Sequence, residues 1–472
     1  MNCLTRNHLQ YFFDLAADHW LLGEVEAADF NQIAQDQFNQ FHQFFNTYHY
    51  CPYVLLVESR PLQFLARFIA AVAAGFPLFL GNPYWQKQEW QQVFTQVQPD
   101  IILGEVSFQP LQFETCNHPL SGHFIMIPTG GTSGQIKFAV HTWKTLTASA
   151  QGFQQYFQRS PINSYCTLPL YHVSGLMQFI RSFTSGGKLV IQSFKTVQSG
   201  NFIDIDPANF FISLVPTQLQ RLLQNPQTAH CLSQFHTVLL GGAPAWPTLL
   251  EQARYYQIRL APTYGMTETA SQIATLKPED FLSGYQNSGQ ILPHAQIKIV
   301  NPKGEDLTPN QVGLVEIKSD SLMLGYYHKN FDHNIRINSF KTDDLGYLDE
   351  LGFLTIIGRN SHKIITGGEN VFPEEVEAVI RATGQVKEVF VIGLPDGEWG
   401  QLVTAVYSPS ISQTQLDFLK KKLTETLCKY KHPKLWVALD KIPYNPQGKV
   451  NRQSLKALVQ SLKLHSNESN FC

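Results

Sequence analysis

The feature that most constrains this chain is an alternation. Short apolar runs recur along its first half: "YVLLVES" (53–59), "DIILGE" (100–105), "FIMIPT" (124–129), "KLVIQ" (188–192), "FFISLV" (210–215) and "TVLLGG" (237–242). Helix-length amphipathic stretches lie between several of them. Runs of this length suit strands buried on both faces, and parallel strands need crossovers long enough to hold a helix. The pattern predicts an α/β fold: a large N-terminal domain of α/β layers around mostly parallel sheet. From about residue 285 the texture changes. "AQIKIVNPKGEDLTPNQVGLVEIKSD" carries short alternating strands and turn residues such as Pro302-Lys303-Gly304, as in an antiparallel sheet or a small β-barrel-like part. After "GFLTIIGRNSHKIITGGENVFPEEVEAVI" the pattern returns to mixed α+β. Pro373, with Glu374 and Glu375, marks a helix start, because proline gives up only an orphan N–H there and carboxylates suit the positive helix end.

At 472 residues the chain exceeds one ordinary core. We expect a large domain over 1–360 and a small one over 361–472. Hydrophobic residues at 43% exclude a disordered chain, and a net charge of −2 gives no global attraction to nucleic acid or an anionic membrane. The seven cysteines are scattered, odd in number and without a C-x-x-C pair. A reducing, cytoplasmic compartment without zinc follows. The N-terminus lacks a signal-peptide core. The most apolar run, "FLARFIAAVAAGFPLFLG" (64–81), is interrupted by Arg67, Gly75 and Pro77. It reads as a buried helix from Phe64 to Ala74, a break and a short strand, with no integral membrane segment. The Gln-rich segment 32–43 fits helix or loop, and the tail from His465 reads as disordered.

"IPTGGTSGQIKFAVHTW" (127–143) has the composition of a phosphate loop. It fails both G-x-x-x-x-G-K-[ST] and G-x-G-x-x-G. What remains is Thr129, Gly130, Gly131, Thr132, Ser133 and Gly134, then Lys137. Glycines let backbone N–H groups turn toward an anion, the hydroxyls add donors and the lysine adds charge. A strand before the loop and a helix after it ("TWKTLTASAQGFQQYF") place it at a sheet edge. An ordinary glycine turn with a solvated lysine is the plain alternative.

The loop resembles that of the adenylate-forming superfamily of acyl- and aryl-CoA ligases, nonribosomal adenylation domains and luciferase-like enzymes. Theirs commonly reads Ser/Thr-Ser/Thr-Gly-Thr-Thr-Gly-x-Pro-Lys; here Gly130, Ser133 and Ile136 depart from it. Further motifs follow in family order over nearly the whole chain. "LPLYHVSGL" (168–176) resembles the motif lining the acyl pocket, which implies roles for Tyr171 and His172. "LLGGAP" (239–244) resembles the loop touching adenine and substrate, with Gly241 on the acyl side and Gly242, Ala243 and Pro244 on the nucleotide. "PTYGMTETASQ" (262–272) is similar to the Tyr-Gly-x-Thr-Glu motif. The resemblance implies that Tyr264 stacks on adenine, Gly265 and Met266 line the nucleotide, Thr267 donates to the α-phosphate and Glu268 holds Mg²⁺. "FKTDDLGYLDE" (340–350) gives Asp344 to the ribose hydroxyls, with Asp343 where glycine is usual, and Arg359 is a second ribose match. Ser361 falls at the hinge, Gly367-Gly368 near the CoA pantetheine tunnel, and "KIPYNPQGKVNR" (441–452) resembles the motif of the catalytic lysine, Lys449. A histidine beside apolar residues, a glycine turn or an exposed lysine is unremarkable alone. Their order along the chain carries the resemblance.

The resemblance implies an enzyme that takes ATP, Mg²⁺, coenzyme A and a small-molecule carboxylic acid. Lys420, Lys421, Lys422, Lys429, Lys431 and Lys434 face either CoA phosphates or solvent. The wording of 168–183, 264–276 and 364–377 is similar to the branch that activates an aromatic diacid. Its unreacted carboxylate needs a donor or cation if buried. Arg181 is our candidate, with Ser271 or Gln272, and Met177 shares its helix face at i, i+4. Other aryl- or acyl-CoA ligases, carrier-protein loading and a non-catalytic binding relative are the alternatives. Oligomeric state carries no sequence signal.

Overall fold

The computed structural model describes residues 20–23, 29–108, 122–130, 135–328, 331, 337–444 and 450–468. Each apolar run singled out above becomes a strand. An eight-stranded sheet runs, in spatial order, Leu21–Gly23, Leu189–Ile191, Asn163–Cys166, Phe210–Leu214, Thr237–Leu240, Leu260–Met266, Ser271–Thr275 and Gln290–Ile291. Its first six strands are parallel and its last two pairings antiparallel. A six-stranded sheet runs Gly325–Tyr326, Ile136–Thr142, Phe124–Gly130, Leu78–Leu80, Val54–Val57 and Ile101–Gly104, parallel over its last four. Val54–Val57 is buried at every position, which is why its sequence does not alternate.

Helices cover these sheets where the crossovers require them. The helix predicted from Phe64 begins at Pro61, whose ring presets the first turn. It ends at Ala74 because Gly75, at φ 75°, takes the left-handed position and returns its N–H to the carbonyls of Ala71 and Val72. Among the described residues no helix is long and apolar enough to cross a membrane. The Gln-rich segment is helical, within Phe30–Tyr48. Two expectations need correction. A strand, Ile136–Thr142, stands between the phosphate loop and the helix Trp143–Phe157, so the loop joins two antiparallel strands rather than strand and helix. The last helix runs over Arg452–Glu468, into the tail read as disordered, because Leu455 and Val459 bury their side chains and anchor it.

Residues Ala295–Val300, Gly313–Ser319, Phe340–Leu348 and Leu354–Arg359 form the antiparallel sheet expected after residue 285. Its apolar face packs on Ile273 and Ala274 of the large sheet. Beyond the short turn Asn360–His362 the chain builds another sheet from Ile364–Thr366, Glu369–Val371, Gly400–Ser408, Glu388–Asp396 and Leu435–Ala438. Helices Pro373–Ala382 and Gln413–Thr426 pack on one side and Arg452–Glu468 on the other. Glu377, buried at 3% exposure, ties this part together by accepting from Arg381, Arg452 and the Val391 amide.

Candidate active site

The strand Leu260–Met266 ends in the turn Thr267–Thr269 and returns as Ser271–Thr275. That reversal delivers Tyr264, Thr267 and Glu268 to one end of the central sheet. Gly265 sits where the two strands almost touch: a Cβ there would lie 2.2 Å from the Ser271 carbonyl oxygen. Asp344 and Arg359 face each other across neighbouring strands. Arg359 Nε donates to Asp344 Oδ1 at 3.2 Å, and Tyr264 Oη donates to Oδ2 at 2.7 Å. Burial and the adjacent Asp344 carboxylate hold the Tyr264 phenol well above its ordinary value, so it stays a donor. Three residues taken from three separate motifs therefore form one cluster, and each carboxylate oxygen keeps a lone pair for a further donor.

Thr129 and Gly130 close one strand and Lys137 pairs with Thr129 across the hairpin. Gly131, Thr132, Ser133 and Gly134 lie outside the described residues. Lys137 Nζ stands 5.0 Å above the Tyr326 ring, and Tyr326 Oη donates to Glu268 Oε1 at 2.7 Å. Lysine, tyrosine and glutamate thus form a line from the loop to the Thr267 turn. Tyr326 was missed in the sequence. It lies on a two-residue strand paired with Ala139 and Val140, far away in the chain, and no local pattern marks it. Glu268 is buried at 8% exposure, and the Tyr326 hydroxyl engages only one of its two carboxylate oxygens. The other oxygen fits Mg²⁺, which keeps water and phosphate oxygens as most of its ligands. Among the described residues no cluster of three or more acidic, His or Cys side chains offers a fuller protein cage.

His141 was also missed. It is fully buried, with Nε2 2.8 Å from the Thr267 carbonyl oxygen and Nδ1 3.0 Å from Thr145 Oγ1. A carbonyl only accepts, so Nε2 carries the proton and Nδ1 accepts from the threonine. Burial pushes the imidazole down to about 4 and keeps it neutral. It props up the turn that presents Thr267. His141→Gln, which keeps a donor, is expected to retain most AMP formation, whereas His141→Ala lowers kcat about tenfold, the effect of one lost buried hydrogen bond. Equal rates in the two variants would remove the positioning role. His236 and His294 are likewise pushed down to about 4, chiefly by burial. The unfolded chain binds these protons first, so stability is full above about pH 6.5 and falls between there and about pH 4. A melting temperature measured across that window checks the sign.

The residues expected around the acyl group lie on other elements. Gly241 lets the chain pass Thr263, where a Cβ would lie 2.5 Å from Oγ1. Gly242, at φ 82°, Ala243 and Pro244 follow on an exposed loop. Tyr171 and His172 directly precede the helix Val173–Ser185, their rings 4.7 Å apart. Burial pushes the Tyr171 phenol up to about 12. Residues 175–183 of that helix are buried on every side, Arg181 and Met177 included. Arg181 is 3% exposed. Its Nη2 donates to Ser271 Oγ at 2.8 Å and Gln272 Oε1 at 3.3 Å, and its guanidinium lies 4.3 Å from the Phe153 ring. It has no ion-pair partner among the described residues, and Nε has no acceptor. Burial pushes it down to about 9, so it is still charged at neutral pH.

Ser361 donates its backbone N–H and its hydroxyl to Asp343. Gly367 and Gly368, at φ 57° and 84°, form a tight hairpin turn that glycines favour. The Gly367 N–H donates to the Trp399 carbonyl. Lys434 lies over the Trp399 ring, Lys431 pairs with Glu375 and Lys422 with Glu425; Lys420 and Lys421 are exposed. Lys449 lies outside the described residues; Tyr444 and Val450, on either side of it, form an antiparallel bridge.

Residues 119–327 match the AMP-binding enzyme family and residues 375–449 the AMP-binding enzyme C-terminal domain. The chain belongs to this family. The curated relatives narrow the class. A 2-succinylbenzoate–CoA ligase of Oceanobacillus iheyensis is 36% identical over 343 residues, covering 70% of this chain and 69% of that protein. One of Listeria monocytogenes is 35% identical over 424 residues, covering 85% and 88%. The o-succinylbenzoate–CoA synthetase (MenE) of Bacillus subtilis, solved with its acyl-adenylate intermediate OSB-AMP, superposes with a TM-score of 0.80 at 27% identity, covering 93% and 95% of the two chains. ATP-bound MatB from Rhodopseudomonas palustris, at 22% identity and a TM-score of 0.77, shares the fold.

Proposed function

We propose that this protein is an AMP-forming acid–thiol ligase that joins 2-succinylbenzoate to coenzyme A, in the cytoplasm, for menaquinone or phylloquinone synthesis. The observation that carries the choice of acid is Arg181, a buried cation held by neutral partners beside the Thr267 turn. Such a site invites an anion. The relatives' names and the bound OSB-AMP of the Bacillus enzyme support the same reading.

In the first step an oxygen of the succinyl carboxylate attacks the α-phosphorus of ATP. The bond from that phosphorus to the bridging oxygen breaks and pyrophosphate leaves. Two anions must meet, and Thr267, the 129–137 loop and Lys449 offset the charge spreading over the phosphoryl oxygens. Glu268 would hold Mg²⁺, which would neutralise phosphate charge. Tyr264, Asp344 and Arg359 hold adenine and ribose, and Tyr171 and His172 border the acyl group. In the second step the CoA sulfur attacks the acyl carbon, the C–S bond forms, AMP departs and the thiol proton is released. We assign residues 1–360 to ATP and acid and residues 361–472 to a smaller domain that turns about Ser361, withdrawing Lys449 and presenting Gly367-Gly368. Using separate faces shields the mixed anhydride from water.

A panel of benzoates, fatty acids and 2-succinylbenzoate, assayed with ATP, Mg²⁺ and CoA for AMP release, tests this. Fastest turnover is expected with 2-succinylbenzoate. Turnover of another acid and none of this one would overturn the assignment.

A further inference from the structure

We infer that His294 and Arg181 together seat the second, unreacted carboxylate of the acid, and that His294 sets the preference for a diacid over a monoacid. This rests on the acid assigned above. His294 lies in the turn before the strand Ala295–Val300, outside every motif named in the sequence. Its carbonyl oxygen is fixed by the Ser319 hydroxyl at 3.0 Å and the Asp320 N–H at 3.1 Å. The ring lies against Gly152 of the helix Trp143–Phe157, where a Cβ would stand only 1.9 Å from Nδ1. A glycine at 152 is therefore what makes room for this imidazole. The next residue, Phe153, carries the Arg181 guanidinium on its face.

Both ring nitrogens of His294 are buried, and neither has a hydrogen-bond partner among the described residues. The same holds for Arg181 Nε. Buried polar atoms are normally satisfied, so several orphans around one unpaired cation mark a place that a ligand completes. The two side chains sense each other: after burial, the Arg181 charge is the largest influence lowering His294, with Asp320 pulling the other way. The imidazole is therefore neutral in the free protein and offers one N–H. A carboxylate entering here takes its countercharge from the guanidinium and a donor from the imidazole. A carboxylic acid without that group leaves both unsatisfied, which is how a site discriminates by what it fails to pair.

The test compares kcat/KM for 2-succinylbenzoate with that for the same keto acid lacking its ring carboxylate (benzoylpropionate). Wild type is expected to prefer the diacid. His294→Phe is expected to lower the diacid-to-monoacid ratio about tenfold or more, mainly through KM. Gly152→Ala, whose methyl displaces the ring without removing a polar atom, is expected to lower it in the same direction and supplies the reading if the phenylalanine variant does not fold. An unchanged ratio, or an equal loss on both acids, overturns the role of His294 while leaving the assigned acid intact. A wild type that turns over neither acid overturns the assigned acid and this inference with it; one that turns over both equally overturns this inference alone.

Discussion

Lys449→Ala is expected to slow acyl-adenylate formation by about 10²-fold or more, the size found for oriented stabilisers of developing charge. The argument is electrostatic. A carboxylate approaching a triphosphate is repelled, and negative charge spreads over the phosphoryl oxygens as the new bond forms. Lys137 is held above the Tyr326 ring, at the end of a strand. On the proposed scheme, a lysine brought in from the smaller domain adds a full charge that need not be present when ATP or CoA binds. About 10²-fold corresponds to roughly 2.7 kcal/mol of barrier, within the reach of one desolvated ammonium. Pyrophosphate release from 2-succinylbenzoate without CoA measures this step alone. Transfer from preformed acyl-adenylate to CoA is expected to be far less affected, because the proposed scheme withdraws the lysine before that step. Undiminished pyrophosphate release would refute the role.

Arg181→Ala is expected to raise KM for 2-succinylbenzoate by about 10²-fold, with little change in KM for ATP, because a charge-assisted hydrogen bond in a buried setting is worth up to roughly 3 kcal/mol. The structure adds a stability readout to this kinetic one. A buried cation without a carboxylate is costly to the free protein, and replacing such a group by an apolar residue of similar volume is often stabilising. Arg181→Met is therefore expected to hold or raise the melting temperature while losing the diacid. A structural arginine would do the reverse: melting would fall, and both substrates would suffer alike.

Much of this molecule is legible in its sequence, for reasons that differ by level. The strands from Val54 to Leu240 are marked by local apolar runs, because burial on both faces leaves no room for polar residues. The helix end at Gly75 is marked because few other residues take its backbone angle cheaply. The clustering of Tyr264, Asp344 and Arg359 follows from motif order, though not from any local property of these residues. The strand Ile136–Thr142 was hidden because a glycine-rich loop followed by helix-forming sequence resembles a strand–loop–helix unit. Asp343, noticed as a departure from the family pattern, turns out to accept from Ser361, the residue placed at the hinge.

The sequence by itself determined the alternation of strand and helix and the family. Those are properties of neighbouring residues and of spacing. Tertiary structure decided that His141 supports the Thr267 turn, that Tyr326 bridges Lys137 to Glu268, and that His294 lies on Gly152 near an unpaired Arg181. These partners are distant along the chain, and the cost of an unsatisfied polar atom exists only once folding has taken water away from it.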